Sequence, residues 1–187
     1  MNIPPKEPLC TVEELRNICF FPTGAQEFPM EDCDEVFPGI FLGNGASASN
    51  FNELRKNNIG YVLNAAHGTD EHLNMIEPVS EKDYTAAGIR FLGIPAIDCM
   101  GYPLHQHFDE ATAFIREALQ AGKGVLVHCK QGISRSAALV LAYLVVEAGM
   151  SLQEATRVVR QRREILPNEG FLLQLCNLYE QINARVL

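Results

Sequence analysis

Residues 125–146 constrain the chain more than any other stretch. Val125-Leu-Val127 is a short apolar run that leads straight into His128-Cys129, and 137–146 is apolar nearly all round. A helix with no polar face must lie inside the domain, and an apolar strand without alternation is covered on both sides. The segment between them, 128–136, is thereby held at the carboxyl end of a buried strand and the start of a buried helix. In an open α/β sheet that is where ligands bind.

The rest of the chain fits the same architecture. Ile40-Phe-Leu42 ahead of Gly43-Asn44-Gly45, Tyr61-Val-Leu63, and Phe91-Leu-Gly-Ile94 stopped by Pro95 read as strands. Helices are expected over 46–57, from about 105 to 121 with Phe108, Ala111, Ile115 and Leu119 on one face, and from the capping box Ser151-Leu-Gln-Glu154 to about 164. Phe171, Leu172, Leu175, Leu178 and Ile182 mark a last amphipathic helix. Strands alternating with helices predict an α/β fold, with a single central mixed or mostly parallel sheet flanked by helices. The first eight residues are Pro-rich and expected to be mobile, and Thr11-Val-Glu-Glu14 opens a short helix over about 11–19. The domain reading is an N-terminal extension over 1–28 and a domain over 29–187 that carries the chemistry. The polar stretch 67–87 has no periodicity that assigns it.

In Val125-Leu-Val-His-Cys129-Lys-Gln-Gly132-Ile-Ser-Arg135-Ser136, a cysteine and an arginine bracket five residues. The backbone N–H groups of Lys130, Gln131, Gly132, Ile133, Ser134 and Arg135, opening a helix, form a nest suited to a phosphate ester. Gly132 lets the loop curl without a side-chain clash. The planar fork of Arg135 grips two phosphate oxygens at once, which lysine does not. Cys129, at the base of the nest, is the expected nucleophile. A free thiol of pKa ~8.5 is little ionised at neutral pH, and the donors that hold phosphate also favour the thiolate, so Cys129 is expected to be ionised at pH 7. Ser136 is placed to donate a hydrogen bond to the departing sulfur, and His128 is expected to hold the loop rather than act as a base. An inert thiol is the common fate of a cysteine behind an apolar strand. The pattern His-Cys-x-x-Gly-x-Ser-Arg-Ser, however, fixes six positions, a coincidence on the order of one in a hundred million per window.

Cleaving a phosphate ester also takes a proton for the leaving oxygen. Position alone leaves Asp98, Asp70, Asp83 and Asp109 open; Asp98 follows a strand beside a Gly/Pro-containing segment, 101–103, expected to move over the site. Arg157, Arg160, Arg162 and Arg163 cluster near the end of one helix, where dipole complementarity and a second phosphate-binding position are both open readings. A net charge of −8 argues against a nucleic-acid partner, and the lack of a long apolar stretch against a membrane span. With 187 residues the chain is large enough to fold without staples, so its six spread cysteines read as free thiols of an intracellular protein. His105-x-His107 has no cysteine pair to complete a tetrahedral set, so neither a metal nor another cofactor is expected.

The residues resemble the dual-specificity phosphatases, in particular the small atypical branch typified by the VHR phosphatase. The likeness runs from about Thr11 to Ile182. Beyond the loop it rests on Ile40-Phe-Leu-Gly-Asn44, Val62-Leu-Asn-Ala-Ala66, Phe91-Leu-Gly-Ile94 with Asp98, Ala142-Tyr-Leu144, Val159-Arg-Gln-Arg-Arg-Glu-Ile165 and Pro167-Asn168-x-Gly170-Phe171. The resemblance implies Cys129 as nucleophile, Asp98 as general acid, Arg135 as phosphate clamp and Ser136 as the hydroxyl that assists breakdown of the intermediate. Arg163 falls where VHR-like enzymes have an arginine for a second phosphoresidue, and Asn168 falls close to the same wall. Ile133 stands where VHR has an aromatic residue, and Lys130-Gln131 replaces a basic-acidic pair. The implied activity is metal-free hydrolysis of phosphotyrosine and phosphoserine/threonine in proteins through a phosphocysteine. MAP kinases are among the candidate substrates, and cytoplasm and nucleus are the implied setting. A lipid phosphatase is disfavoured because the loop carries only Lys130, with Ile133 in place of another lysine. A binding module without turnover has no use for the intact set Cys129, Arg135 and Asp98, and a sulfur-transfer enzyme needs neither Asp98 nor the Ser134-Arg135-Ser136 ending. Monomer and weak dimer stay open.

Overall fold

A computed structural model describes residues 9–186; the Pro-rich opening and its expected mobility lie outside the described residues. Five strands, β1 (Cys33–Phe37), β2 (Ile40–Gly43), β3 (Ile59–Asn64), β4 (Arg90–Gly93) and β5 (Gly124–His128), form one sheet in the order β1-β2-β5-β3-β4. The pair β1·β2 is antiparallel and the others are parallel, so the sheet is mixed and mostly parallel, as the alternation of strands and helices predicts. Among the described residues no helix is long and apolar enough to cross a membrane.

The sheet has helices on both faces, and the side-chain alternation of its strands sorts them. Val125 and Val127 of β5, with Tyr61 and Leu63 of β3, point into the larger core, whereas Leu126 and Val62 point into the smaller one. The larger core is built by α5 (Phe108–Gln120), α6 (Arg135–Val146), α7 (Leu152–Arg160) and α8 (Glu169–Val186); the smaller lies under α2 (Gly45–Ser49), α3 (Phe51–Lys56) and α4 (Glu81–Ala86). From Arg135 to Val145 every residue of α6 is buried, which accounts for its apolar surround. Removing water from each such Leu or Val stabilises the fold by about 1.5–3 kcal/mol, so α6 and β5 anchor the loop between them rigidly.

Several boundaries differ from those read off the sequence. The helix expected over 46–57 is two short helices, because the Asn50 carboxamide accepts from the Glu53 N–H and starts α3 afresh. The helix expected from about 105 begins as a 3₁₀ turn, Leu104–His107, before α5. The unassigned stretch 67–87 holds a 3₁₀ turn, Glu71–Leu73, and α4. The first helix, α1 (Val12–Phe20), carries its capping box, with Thr11 and Glu14 satisfying each other's backbone N–H groups. Its Leu15 and Cys19 enter the larger core, so the 1–28 segment is welded to the domain from α1 onward. Cys10 and Cys176 of α8 are buried in the same core, and the neighbouring Cys176 thiol and burial push the Cys10 pKa up.

Candidate active site

The loop from Cys129 to Ser134 joins β5 to α6 and curls around the Cys129 sulfur. The Gly132 N–H and the Ser136 hydroxyl each donate to Sγ at 3.2 Å. Gly132 has φ +69°, and a Cβ on it would stand 2.4 Å from the Gly43 carbonyl oxygen, so both the left-handed backbone and the close approach to β2 require glycine. Burial pushes the Cys129 thiol up. The Arg135 guanidinium, the Ser136 hydroxyl and amide, and the Gly132 amide outweigh that, and hold it below the ordinary thiol value.

The Arg135 side chain is oriented from behind. Its Nη1 donates at 3.0 Å to both the Asn74 and the Ala96 carbonyl oxygens, which leaves the Nε–Nη2 edge for a ligand. Nε is buried without a hydrogen-bond partner, 3.6 Å from Asp98 Oδ2. A buried donor in that state is costly, and a phosphoryl oxygen on that edge satisfies it.

Asp98 lines the same cleft as Cys129 and is held in part by the loop itself. Its Oδ1 accepts from the Ser134 hydroxyl at 2.7 Å and from the Asn168 carboxamide at 2.9 Å. Ser134 in turn accepts from the Asn168 N–H, so the pair clamps the carboxylate from both sides. The structure thus brings together Cys129, Arg135, Ser136, Asp98, Ser134 and Asn168.

The segment that follows Asp98 lies against α8. Gln174 accepts from the His105 N–H and donates to the Tyr102 carbonyl oxygen, and a Cβ on Gly170 would lie 2.0 Å from the Met100 oxygen. The loop backbone therefore lies directly on the helix, with glycine making room. Asn168 contacts the acid rather than forming a wall for a second phosphate. His128 is fully buried, its Nδ1 near the Cys129 carbonyl oxygen at 3.4 Å. Burial, reinforced by nearby His67 and opposed by that contact, pushes its pKa down to about 4. Lys130 reaches out to the Asn74 side chain, Ile133 lies on the cleft wall, and the Gln131 carbonyl turns away from the cleft.

Arg163 is a correction. Its side chain is 1% exposed and lies behind the loop, where Nε donates to the Gly132 oxygen, Nη2 to the Gln131 oxygen, and Nη1 to the Glu31 oxygen and the Asp34 carboxylate. It is therefore not placed to meet a second phosphate. The reason is that α7 ends at Arg160, short of the expected 164, and the chain then turns inward. Arg160 likewise braces other elements, through the Cys19 oxygen and Glu27. Arg163→Met, which keeps the stem and removes the fork, is expected to destabilise the protein by roughly 3 kcal/mol, or about 6–12 °C in Tm for a chain of this size. An unchanged Tm together with selectively weaker binding of doubly phosphorylated peptides would restore the second-phosphate reading.

Two contributors were not legible from sequence. Asn74, in the left-handed conformation at φ 54°, serves Arg135 through its carbonyl and Lys130 through its side chain, and no local signal marks an asparagine for that. Arg16 of α1 also lines the cleft. Among the described residues no group of three or more His, Cys, Asp or Glu side chains is placed to hold a metal ion.

The family description "Dual specificity phosphatase, catalytic domain" matches residues 40–181. Human dual specificity protein phosphatase 26 is 41% identical over 178 residues, 92% of this chain and 77% of that protein. Among solved structures, human DUSP28 superposes with a TM-score of 0.73 at 29% identity, covering 85% of this chain and 99% of that one. The human tyrosine phosphatase-like serine/threonine/tyrosine-interacting protein superposes with a TM-score of 0.69 at 34% identity, covering 81% and 97%.

Proposed function

The chain belongs to the dual specificity protein phosphatases, and on that premise we propose that it hydrolyses phosphotyrosine and phosphoserine/threonine in proteins, MAP kinases among the candidates, through a phosphocysteine on Cys129. The observation that carries this reading is the half-used guanidinium of Arg135. One nitrogen is fixed to two carbonyls, and the free edge lies beside a sulfur that accepts two hydrogen bonds.

A phosphoryl group enters with its non-bridging oxygens on that edge and on the loop amides, which places phosphorus over the Cys129 sulfur. The thiolate attacks, the S–P bond forms as the P–O bond to the substrate side chain breaks, and Asp98 gives its proton to the leaving oxygen. Water then attacks the phosphocysteine while Asp98, now a carboxylate, takes its proton. The S–P bond breaks, inorganic phosphate forms, and the sulfur leaves as a thiolate stabilised by the Ser136 hydroxyl and the Gly132 N–H. The loop amides, by hydrogen bonding, and the Arg135 guanidinium, by its charge, stabilise the equatorial oxygens throughout.

The reading is tested on the thiolate and on turnover together. Because the Cys129 pKa is lowered, the reactive anion forms on the acid side of a free thiol's ~8.5, so the alkylation rate should rise with pH and level off before that value. Inorganic phosphate should protect the thiol, and both phosphotyrosine and phosphothreonine peptides should be turned over. A midpoint at or above ~8.5, or no release of phosphate from either peptide, would count against it.

A further inference from the structure

We propose that Arg16, contributed by the N-terminal helix α1, is a second anion-recognition site at the mouth of the catalytic cleft. Its ligand is a negatively charged group flanking the phosphoresidue of the substrate, either a carboxylate or a second phosphate. The inference rests on the phosphatase reading above, and it adds the substrate feature that the cleft selects.

Arg16 lines the same cleft as Cys129 and Arg135. Of the cleft's cations, Arg135 is committed to the scissile phosphoryl group and Lys130 is held by Asn74. Arg163 lies behind the loop. Arg16 is the arginine that remains at the mouth, and it already holds an anion there, because its Nη1 pairs with the Glu169 carboxylate. Its guanidinium also lies over the Phe20 ring, 5.4 Å from the centroid, which restrains a side chain that would otherwise sweep freely.

The exchange of Glu169 for a substrate anion is easy. The pair is solvent-facing, with the two side chains 42% and 54% exposed, and exposed pairs of this kind add little to stability. Once released, Glu169 sits in the first turn of α8, where the helix dipole favours a negative charge. Nor does α1 need the pair to stay in place, since Leu15 and Cys19, with Cys10 just before the helix, are buried in the larger core. Glu169 is thus an internal stand-in for the substrate's acidic group, and arginine suits both carboxylate and phosphate because its fork matches either.

The test uses the Cys129→Ser protein, with and without Arg16→Ala or Glu169→Gln, and measures dissociation constants for three phosphotyrosine peptides. One has alanine flanks, one has aspartate and glutamate flanks, and one has a flanking phosphothreonine. The preference for an anionic flank over alanine should fall about fivefold in Arg16→Ala, equivalent to about 1 kcal/mol. It should rise in Glu169→Gln and be partly kept in Arg16→Lys. A change with the phosphothreonine peptide alone assigns the site to a second phosphate, and a change with the acidic peptide assigns it to carboxylates. An unaltered preference, or an equal loss on all three peptides as expected of a mere brace between α1 and α8, overturns the proposal. Turnover of para-nitrophenyl phosphate by the unsubstituted protein tests the phosphatase reading independently, since that substrate has no flank.

Discussion

Turnover by the Cys129→Ser protein is expected to fall by at least about 10⁴-fold while phosphate-ester binding persists, because the substitution removes the nucleophile and little else. The serine oxygen would take the place of a sulfur that accepts from the Gly132 N–H and the Ser136 hydroxyl, and both donors remain available to it. Arg135 keeps its carbonyl partners, and Arg163 keeps the loop braced from behind, so the nest stays built. What changes is acidity. The loop holds the thiol below its ordinary value, but a hydroxyl starts far higher, and the same donors leave it protonated. Binding of a phosphotyrosine peptide by calorimetry, alongside phosphate release, checks both halves. Retention of more than a hundredth of the activity would show that another group attacks phosphorus, and loss of binding would show that the loop had collapsed.

The loop was legible because its chemistry is local. Cys129, Gly132, Arg135 and Ser136 lie within one strand-to-helix turn, so residue type and spacing fix their geometry, and the apolar runs on either side fix where the turn sits. β1 was not legible. Asp34 and Glu35 give it no apolar pattern, only Val36 is buried, and it exists because β2 offers an edge to pair with. The supports of the site were hidden for a different reason: they act across long separations. Asn74 meets Arg135 from 61 residues away, and Asn168 meets Asp98 from 70. No window of sequence contains both partners. Arg163 shows how a true observation can point the wrong way. The arginine cluster is real, but a helix ending at Arg160 rather than 164 turns its last member from the surface to the back of the loop, where backbone carbonyls rather than phosphate take its hydrogen bonds. A resemblance to VHR-like enzymes carries the residue's position but not the direction in which the side chain points.

Asp98→Asn should lower kcat by about 10²–10⁴-fold, with the loss depending on the leaving group. Asparagine is close in shape, and its carbonyl oxygen still accepts from the Ser134 hydroxyl and the Asn168 carboxamide, so the clamp on residue 98 survives the change. The deficit is then that of proton donation alone. A phenoxide departs tolerably unprotonated, since a tyrosine hydroxyl has a pKa of ~10, whereas a serine or threonine alkoxide is far more basic and leans fully on the acid. Phosphothreonine peptides should accordingly lose more than phosphotyrosine peptides, and para-nitrophenyl phosphate, with the best leaving group, should lose least. The other carboxylates once open for the role make good controls. Asp70 is taken up capping a 3₁₀ turn, Asp83 is bonded to Ser80, and Asp109 lies in the first turn of α5, away from the cleft. Asp83→Asn should leave kcat within a factor of about two, as surface substitutions away from such sites usually do little. A uniform loss across the three substrates in Asp98→Asn would mean that residue 98 orders the loop rather than delivers the proton. A large loss in Asp83→Asn would move the acid elsewhere.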